Sequence, residues 1–208
     1  MRERNPDDKK RRLLDAALTE FARSGLAGTR IDTIASRAAC SAGLVYTYFG
    51  SKEALFDAVL ADISERTVAE VALDPADLPG YARRLHEAGV EHPDVQRFAT
   101  WYQLERTGGR STATDEAMSS KIEAIRRAQE HADTPPAPDA APATLDPALD
   151  PAALALAVQA LARMWFTEPE AVTAVVDPEH DEAYRSRAVE AAAAALVAGA
   201  RIEASGAR

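Results

Sequence analysis

The residues able to do acid–base or metal chemistry are dispersed along the chain. His86, His92, His131 and His180 stand without metal-ligand spacing. His180 lies in the acidic run 177–182, which reads as a helix start where negative charge is favoured. Cys40 has no second thiol in the sequence and reads as a small buried residue. No glycine-rich phosphate loop and no Gly-x-Ser-x-Gly elbow is present. No enzymatic reaction, metal or cofactor is expected. A denser constellation is Ser41, Ala42, Gly43, Leu44, Thr47 and Tyr48, followed by Lys52. Small residues and hydroxyls on one short helix permit close approach to a polar surface such as the base edges and phosphates of DNA.

A second constellation is aromatic. Phe98, Trp101, Tyr102 and Glu105 recur at i, i+3, i+4 and i+7, one face of a helix. Met164, Trp165 and Phe166 add adaptable apolar bulk, and His86, Gln103 and Gln159 offer polar contacts. Such a set suits a small, largely apolar ligand. An aromatic stripe at helical spacing is more often ordinary core than the lining of a binding site.

These residues need helices to place them. Leu13, Leu14, Ala17, Leu18, Phe21 and Ala22 mark an amphipathic helix over 8–24, closed by Gly25 as a left-handed cap. Thr29 is placed to N-cap a short second helix carrying Ile31, Ile34, Ala35 and Ala38. Ser41 opens a short third, and Ser51 a longer fourth with Leu55, Val59 and Ile63. The gap between the second and third helices, Ala38 to Ser41, is helix-turn-helix spacing. Leu14, Leu18 and Phe21 would pack on Ile31, Ile34, Val45 and Phe49. Further helices are expected over 78–91, from Pro93 to Gly108-Gly109, over 115–131, over 152–166 with a resumption past Pro169, and over 178–204. A proline-rich loop occupies 131–151. The fold class is all-α, with a head over 1–52 and a helical body over 53–208.

Charge divides in the same place. The 208 residues carry a net charge of −9, yet 1–52 hold ten Lys/Arg against six Asp/Glu, and the remainder sums to −13. A basic head on an acidic body suits a chain whose one end meets a polyanion. A hydrophobic fraction of 47% excludes wholesale disorder. No apolar run approaches the ~18 residues that span a bilayer. The polar start MRERNPDDKKRR is unlike a secretory signal. A cytoplasmic protein without membrane contact is expected.

The stretch TRIDTIASRAACSAGLVYTYFGSKEALFDAVL, Thr29 to Leu60, resembles the DNA-binding region of TetR-family transcriptional regulators. The shared positions are Thr29, Ile34-Ala35, Ser41, Gly43, Val45-Tyr46, Tyr48-Phe49 and Ser51-Lys52-Glu53. The sequence departs at the turn, where Ala39-Cys40 replaces the usual Gly-Val; Ala39 fits there only with negative φ or with strain.

The resemblance implies a homodimeric, ligand-responsive regulator, usually a repressor, on a palindromic operator in double-stranded DNA. It implies that Thr29 and Arg30 present a helix N-terminus to a phosphate, and that Ser41, Ala42, Gly43, Leu44 and Thr47 face the bases. It implies that Tyr46, Tyr48 and Lys52 contact phosphates. Leu44 suits a thymine methyl, predicting a T-rich step in each half-site. Small-molecule candidates are His86, Phe98, Trp101, Tyr102, Glu105, Met164 and Trp165. Dimer candidates are Leu154, Val158, Leu161, Ala192 and Leu196, which serve equally to fill a monomer core. The competing functions are a small-molecule carrier or enzyme with a relic head, and a protein-interaction adaptor.

Overall fold

The computed structural model describes residues 6–106, 112–131, 145 and 149–199. Ten α-helices are described: α1 Pro6–Gly28, α2 Ile31–Arg37, α3 Ala42–Phe49, α4 Lys52–Glu70, α5 Leu78–Glu91, α6 Pro93–Glu105, α7 Thr112–His131, α8 Pro151–Thr167, α9 Glu170–Val176 and α10 Glu182–Gly199. A 3₁₀ turn over Pro75–Asp77 precedes α5. No strand occurs among the described residues. The glycine pair 108–109 and most of 131–151 lie outside them.

The chain packs as two units. One comprises 1–67 with 92–116, the other 68–91 with 117–208. A division after residue 52 therefore does not follow the packing, because α4 as far as Thr67 and all of α6 belong with the head. The reason is the core. Leu13, Ala17, Phe21, Ile34, Val45, Leu55, Phe56 and Phe98 form one buried cluster, with Leu14 and Ile31 beside them and Leu18 and Phe49 against its edge. Phe56 meets the edge of Phe21 at 4.8 Å and lies 4.8 Å from Phe98. Removing any of these aromatics would cost about 3–5 kcal/mol.

The local signals explain the boundaries. Gly25 has φ 66° and kinks α1, which resumes to Gly28. A Cβ there would sit 2.7 Å from Trp101 Cε3, so packing and conformation both demand glycine. Thr29 does not cap α2. Arg30 holds that position, and the buried Thr29 hydroxyl donates to the carbonyls of Glu20 and Gly25, at 3.1 and 2.7 Å. The kink interrupts the α1 ladder, and the hydroxyl satisfies acceptors at that break. Ser41 and Ser51 do cap, accepting from Leu44 N and Ala54 N at 3.3 and 3.0 Å. Ala39 takes φ 49°, the left-handed turn, so strain is accepted there.

The second unit has its own core of Val71, Leu78, Tyr81, Ala82, Ile125, Leu154, Ala155, Val158, Val189 and Ala193. Its last helix begins at Glu182, later than the periodicity suggests. His180 at φ 52° and the Asp177 carboxylate, which accepts Asp181 N at 3.1 Å, hold a turn before it. Residues 200–204 lie outside the described residues.

Candidate nucleic-acid interface and ligand-binding residues

The helix-turn-helix is held from behind. Glu20, buried on α1, accepts from Arg37 Nε at 2.7 Å and from Arg23 at 2.9 Å, fixing the end of α2 against α1. A buried carboxylate of this kind needs its cations. Arg12 donates to the Ala38 carbonyl and so holds the turn. Neither Glu20 nor Arg12 was legible as a site residue, since each works through a partner 17 or more positions away.

The third helix then shows one face outward. Val45 is fully buried, whereas Ser41, Gly43, Tyr46 and Thr47 are exposed. Thr47 Oγ1 donates to the Gly43 carbonyl at 2.9 Å, which leaves its lone pairs outward. Around Gly43 a Cβ would meet nothing within 4 Å. The chain's own packing therefore gives no reason for glycine at this helical position. Ala42, Leu44 and Tyr48 are half-buried and pack on the head core. Leu44 thus spends part of its surface inward, which narrows its expected role toward a thymine methyl. Lys52 Nζ donates to the Thr29 carbonyl at 3.2 Å, drawing the start of α4 onto the approach to α2. Thr29 is turned inward by its hydroxyl, while Arg30 beside it is exposed.

The aromatic stripe of α6 packs on the core of the head, the bland alternative that its helical spacing also carried. Phe98 is fully buried in the head core. Tyr102 stacks on Phe56 at 5.2 Å and donates to Asp57 at 3.0 Å. Burial first, then this carboxylate, raises the phenol above its ordinary value, opposed by Arg106. Trp101 lies against Gly25. Glu105 accepts from the backbone N–H groups of Leu26 and Ala27, the latter at 3.1 Å. All four residues brace the head. His86, Met164 and Trp165 lie in the other unit, so the structure does not gather the seven expected ligand residues into one unit.

His86 is fully buried, and both ring nitrogens are engaged. Nδ1 lies 3.1 Å from the Ala162 carbonyl and Nε2 2.6 Å from Glu182 Oε1, with Phe166 stacked at 5.1 Å. Met164 packs on the second core. Trp165 meets the edge of Tyr184 at 6.1 Å and carries Arg185 over its ring at 5.3 Å, and its buried indole N–H has no partner. The dimer candidates also divide. Leu154 and Val158 are buried in their own unit's core, because alternate apolar faces of α8 turn inward. Leu161, Ala192 and Leu196 are half-buried, and Leu156, on the same apolar helix and also a dimer candidate from the sequence, is 59% exposed.

Comparison with known proteins bears on both units. Residues 13–59 match the family model described as bacterial regulatory proteins, tetR family. Residues 77–194, more than half the chain, match the tetracyclin repressor-like C-terminal domain. The chain belongs to the TetR family. It is similar to the HTH-type transcriptional repressor SCO4008 of Streptomyces coelicolor, 36% identical over 145 residues, covering 67% of this chain and 76% of that protein. It is also similar to the transcriptional regulator RutR of Escherichia coli, 32% identical over 121 residues and 56% of that protein. Among solved structures, the transcriptional regulator SCO4942 of Streptomyces coelicolor superposes with a TM-score of 0.74 at 34% identity, covering 90% of this chain and 97% of that one. As a TetR-family member the chain is a DNA-binding transcriptional regulator with a helix-turn-helix head and a helical ligand-binding domain. Among the described residues no group of His, Cys, Asp or Glu is arranged to hold a metal, and no helix is long and apolar enough to cross a membrane.

Proposed function

We propose that this TetR-family regulator is a homodimeric repressor that holds a palindromic operator and releases it when its second unit takes up a small molecule. The observation that carries the reading is the outward face of α3. Gly43, with open space around it, sits beside exposed Ser41, Tyr46 and Thr47. Glycine inside a helix costs about 1 kcal/mol relative to alanine. Close approach of a partner to that backbone accounts for it, and a base edge in a major groove is such a partner. Arg30, Tyr46, Tyr48 and Lys52 are the proposed phosphate contacts, which position the head without reading sequence.

Repression as the direction of control follows the name of SCO4008, which is that protein's own. Two heads at fixed spacing require a dimer. Its proposed surface is the outward side of α8 and α10, where Leu156, Ala191, Ala194 and Ala195 are exposed. Small side chains on a helix let a second helix approach closely. Release is a shift between head arrangements that a ligand binds unequally.

Fluorescence anisotropy tests the reading, with DNA flanking the protein's own gene at two salt concentrations. Tight binding that falls with salt, and is lost in Tyr46→Ala and Lys52→Ala, supports it. Weak binding, equal on random DNA and unchanged by both substitutions, assigns the head to a relic and the body to a carrier.

A further inference from the structure

In the second unit, acidic residues outnumber basic ones, and the described arginines of α5, α7 and α10 are all paired, from Arg83 with Glu87 to Arg185 with Asp177. Two cations of that unit have no acidic partner among the described residues, Lys121 on α7 and Arg163 on α8. Arg163 Nε is also buried without a hydrogen-bond partner. In a unit this rich in carboxylates, two half-buried cations without anions among the described residues are the exception that needs a cause.

Lys121 has a second donor beside it. Its Nζ lies 6.0 Å from the centroid of the Tyr81 ring on α5. Tyr81 is 2% exposed, and its Oη has no partner. Burial drives the Lys121 ammonium below its ordinary value and pushes the Tyr81 phenol up to about 12, against a smaller opposing effect from Arg84. The surroundings are apolar: Leu85, Met118, Ile122 and Val158 belong to the same cluster as Tyr81. Gln129 donates to the Leu149 carbonyl at 2.8 Å, and Gln159 lies 3.7 Å from Met118 Sδ, so α7 runs antiparallel to α8. Lys121, one turn beyond Met118, shares its face.

A buried phenol hydroxyl without an acceptor and, 6.0 Å from its ring centroid, a half-buried ammonium without an acidic partner among the described residues therefore lie in the same apolar core. A neutral acceptor satisfies the hydrogen bonds but leaves the charge; a carboxylate satisfies both, with one oxygen for each donor. We propose that the second unit binds a small carboxylic acid with an apolar body, its carboxylate held by Lys121 Nζ and Tyr81 Oη. This rests on the reading of the second unit as the ligand-binding body, and names the chemistry of what it takes.

The test uses the full chain and two apolar bodies, phenylbutyl and a straight ten-carbon chain, each carrying a carboxylate, an amide or an amine. Thermal shift and calorimetry are expected to show the carboxylate binding at least about tenfold tighter than its amide, and no binding of the amine. Lys121→Met is expected to remove that preference by weakening carboxylate binding to the level of the amide, and Tyr81→Phe to weaken carboxylate binding in a folded protein. Equal binding of acid and amide, no binding of any head, or unchanged acid binding in Lys121→Met overturns the proposal. DNA binding is followed in parallel. Acid bound through Lys121 without effect on DNA supports the site and removes the regulatory reading. Release by acid and amide alike keeps that reading and overturns the site.

Discussion

The Glu105 carboxylate accepts the backbone N–H groups of Leu26 and Ala27, residues 79 and 78 positions earlier in the chain. These donors follow the break at Gly25, where the α1 ladder is interrupted. One side chain of α6 therefore closes the end of the helix that carries the head's core. Hydrogen bonds to a charged group contribute about 1.5–3 kcal/mol. Glu105→Ala is expected to destabilise the protein by about 2 kcal/mol in urea unfolding and to weaken DNA binding. A loss below about 0.5 kcal/mol would show that water replaces the carboxylate.

Gly43 separates stability from function. Open space surrounds it, so Gly43→Ala is expected to stabilise the folded chain by up to about 1 kcal/mol. The same methyl would stand between α3 and a base edge, so operator affinity is expected to fall. A variant that gains stability and binds DNA as before would move the contact face off this residue.

Ala39 gives the opposite case. Its φ of 49° strains an alanine by about 1–2 kcal/mol, partly offset by the greater freedom of glycine in the unfolded chain. Ala39→Gly is expected to raise stability by about 0.5–1 kcal/mol with the helix-turn-helix unchanged. A shift in the urea midpoint at constant slope is the measurement.

The helices of the head and two of their caps were readable because their causes are local: Ser41 and Ser51 accept from residues three positions on, whereas Thr29 turns inward instead of capping α2. The face of α6 was equally readable, since Phe98, Trp101, Tyr102 and Glu105 do share a helix side. Its destination was not. Period says which residues face together, but the surface they meet, around Gly25 and Phe56, is set by tertiary packing across more than forty positions. The same limit hid which side of α8 turns inward, where Leu154 and Val158 are buried and Leu156 is not. Lys121 carried no signal in sequence, because an unpaired charge becomes visible only when every neighbour is known.

Tyr81 links stability to pH at the alkaline end. Its folded pKa is about 12, above the ordinary phenol value of about 10. The stability it contributes is fully present below pH ~10 and is lost as pH rises through its folded value, because the unfolded chain ionises first. Tyr81→Phe is expected to abolish that part of the alkaline limb. It also removes a buried hydroxyl without a partner, so the ligand-free variant is expected to gain about 1 kcal/mol near neutral pH. Urea unfolding at pH 7 and pH 11, wild type beside variant, reads both effects. An unchanged difference between the two pH values would place the phenol in contact with water.

The head closes with a segment that the chain supplies only after residue 91. Evolution and the laboratory alike recombine proteins by crossover, and a single crossover just after the helix-turn-helix leaves α6 behind. Such a chimera would present Phe21 and Phe56 to a foreign helix at the position of Phe98. Exchange of sensor bodies among relatives is thus expected to succeed where the grafted boundary spares both 1–67 and 92–116, or where the incoming body brings an α6 of matching shape. Inheritance of DNA specificity and of ligand specificity is in this way physically entangled, although the residues proposed to touch DNA occupy one short stretch.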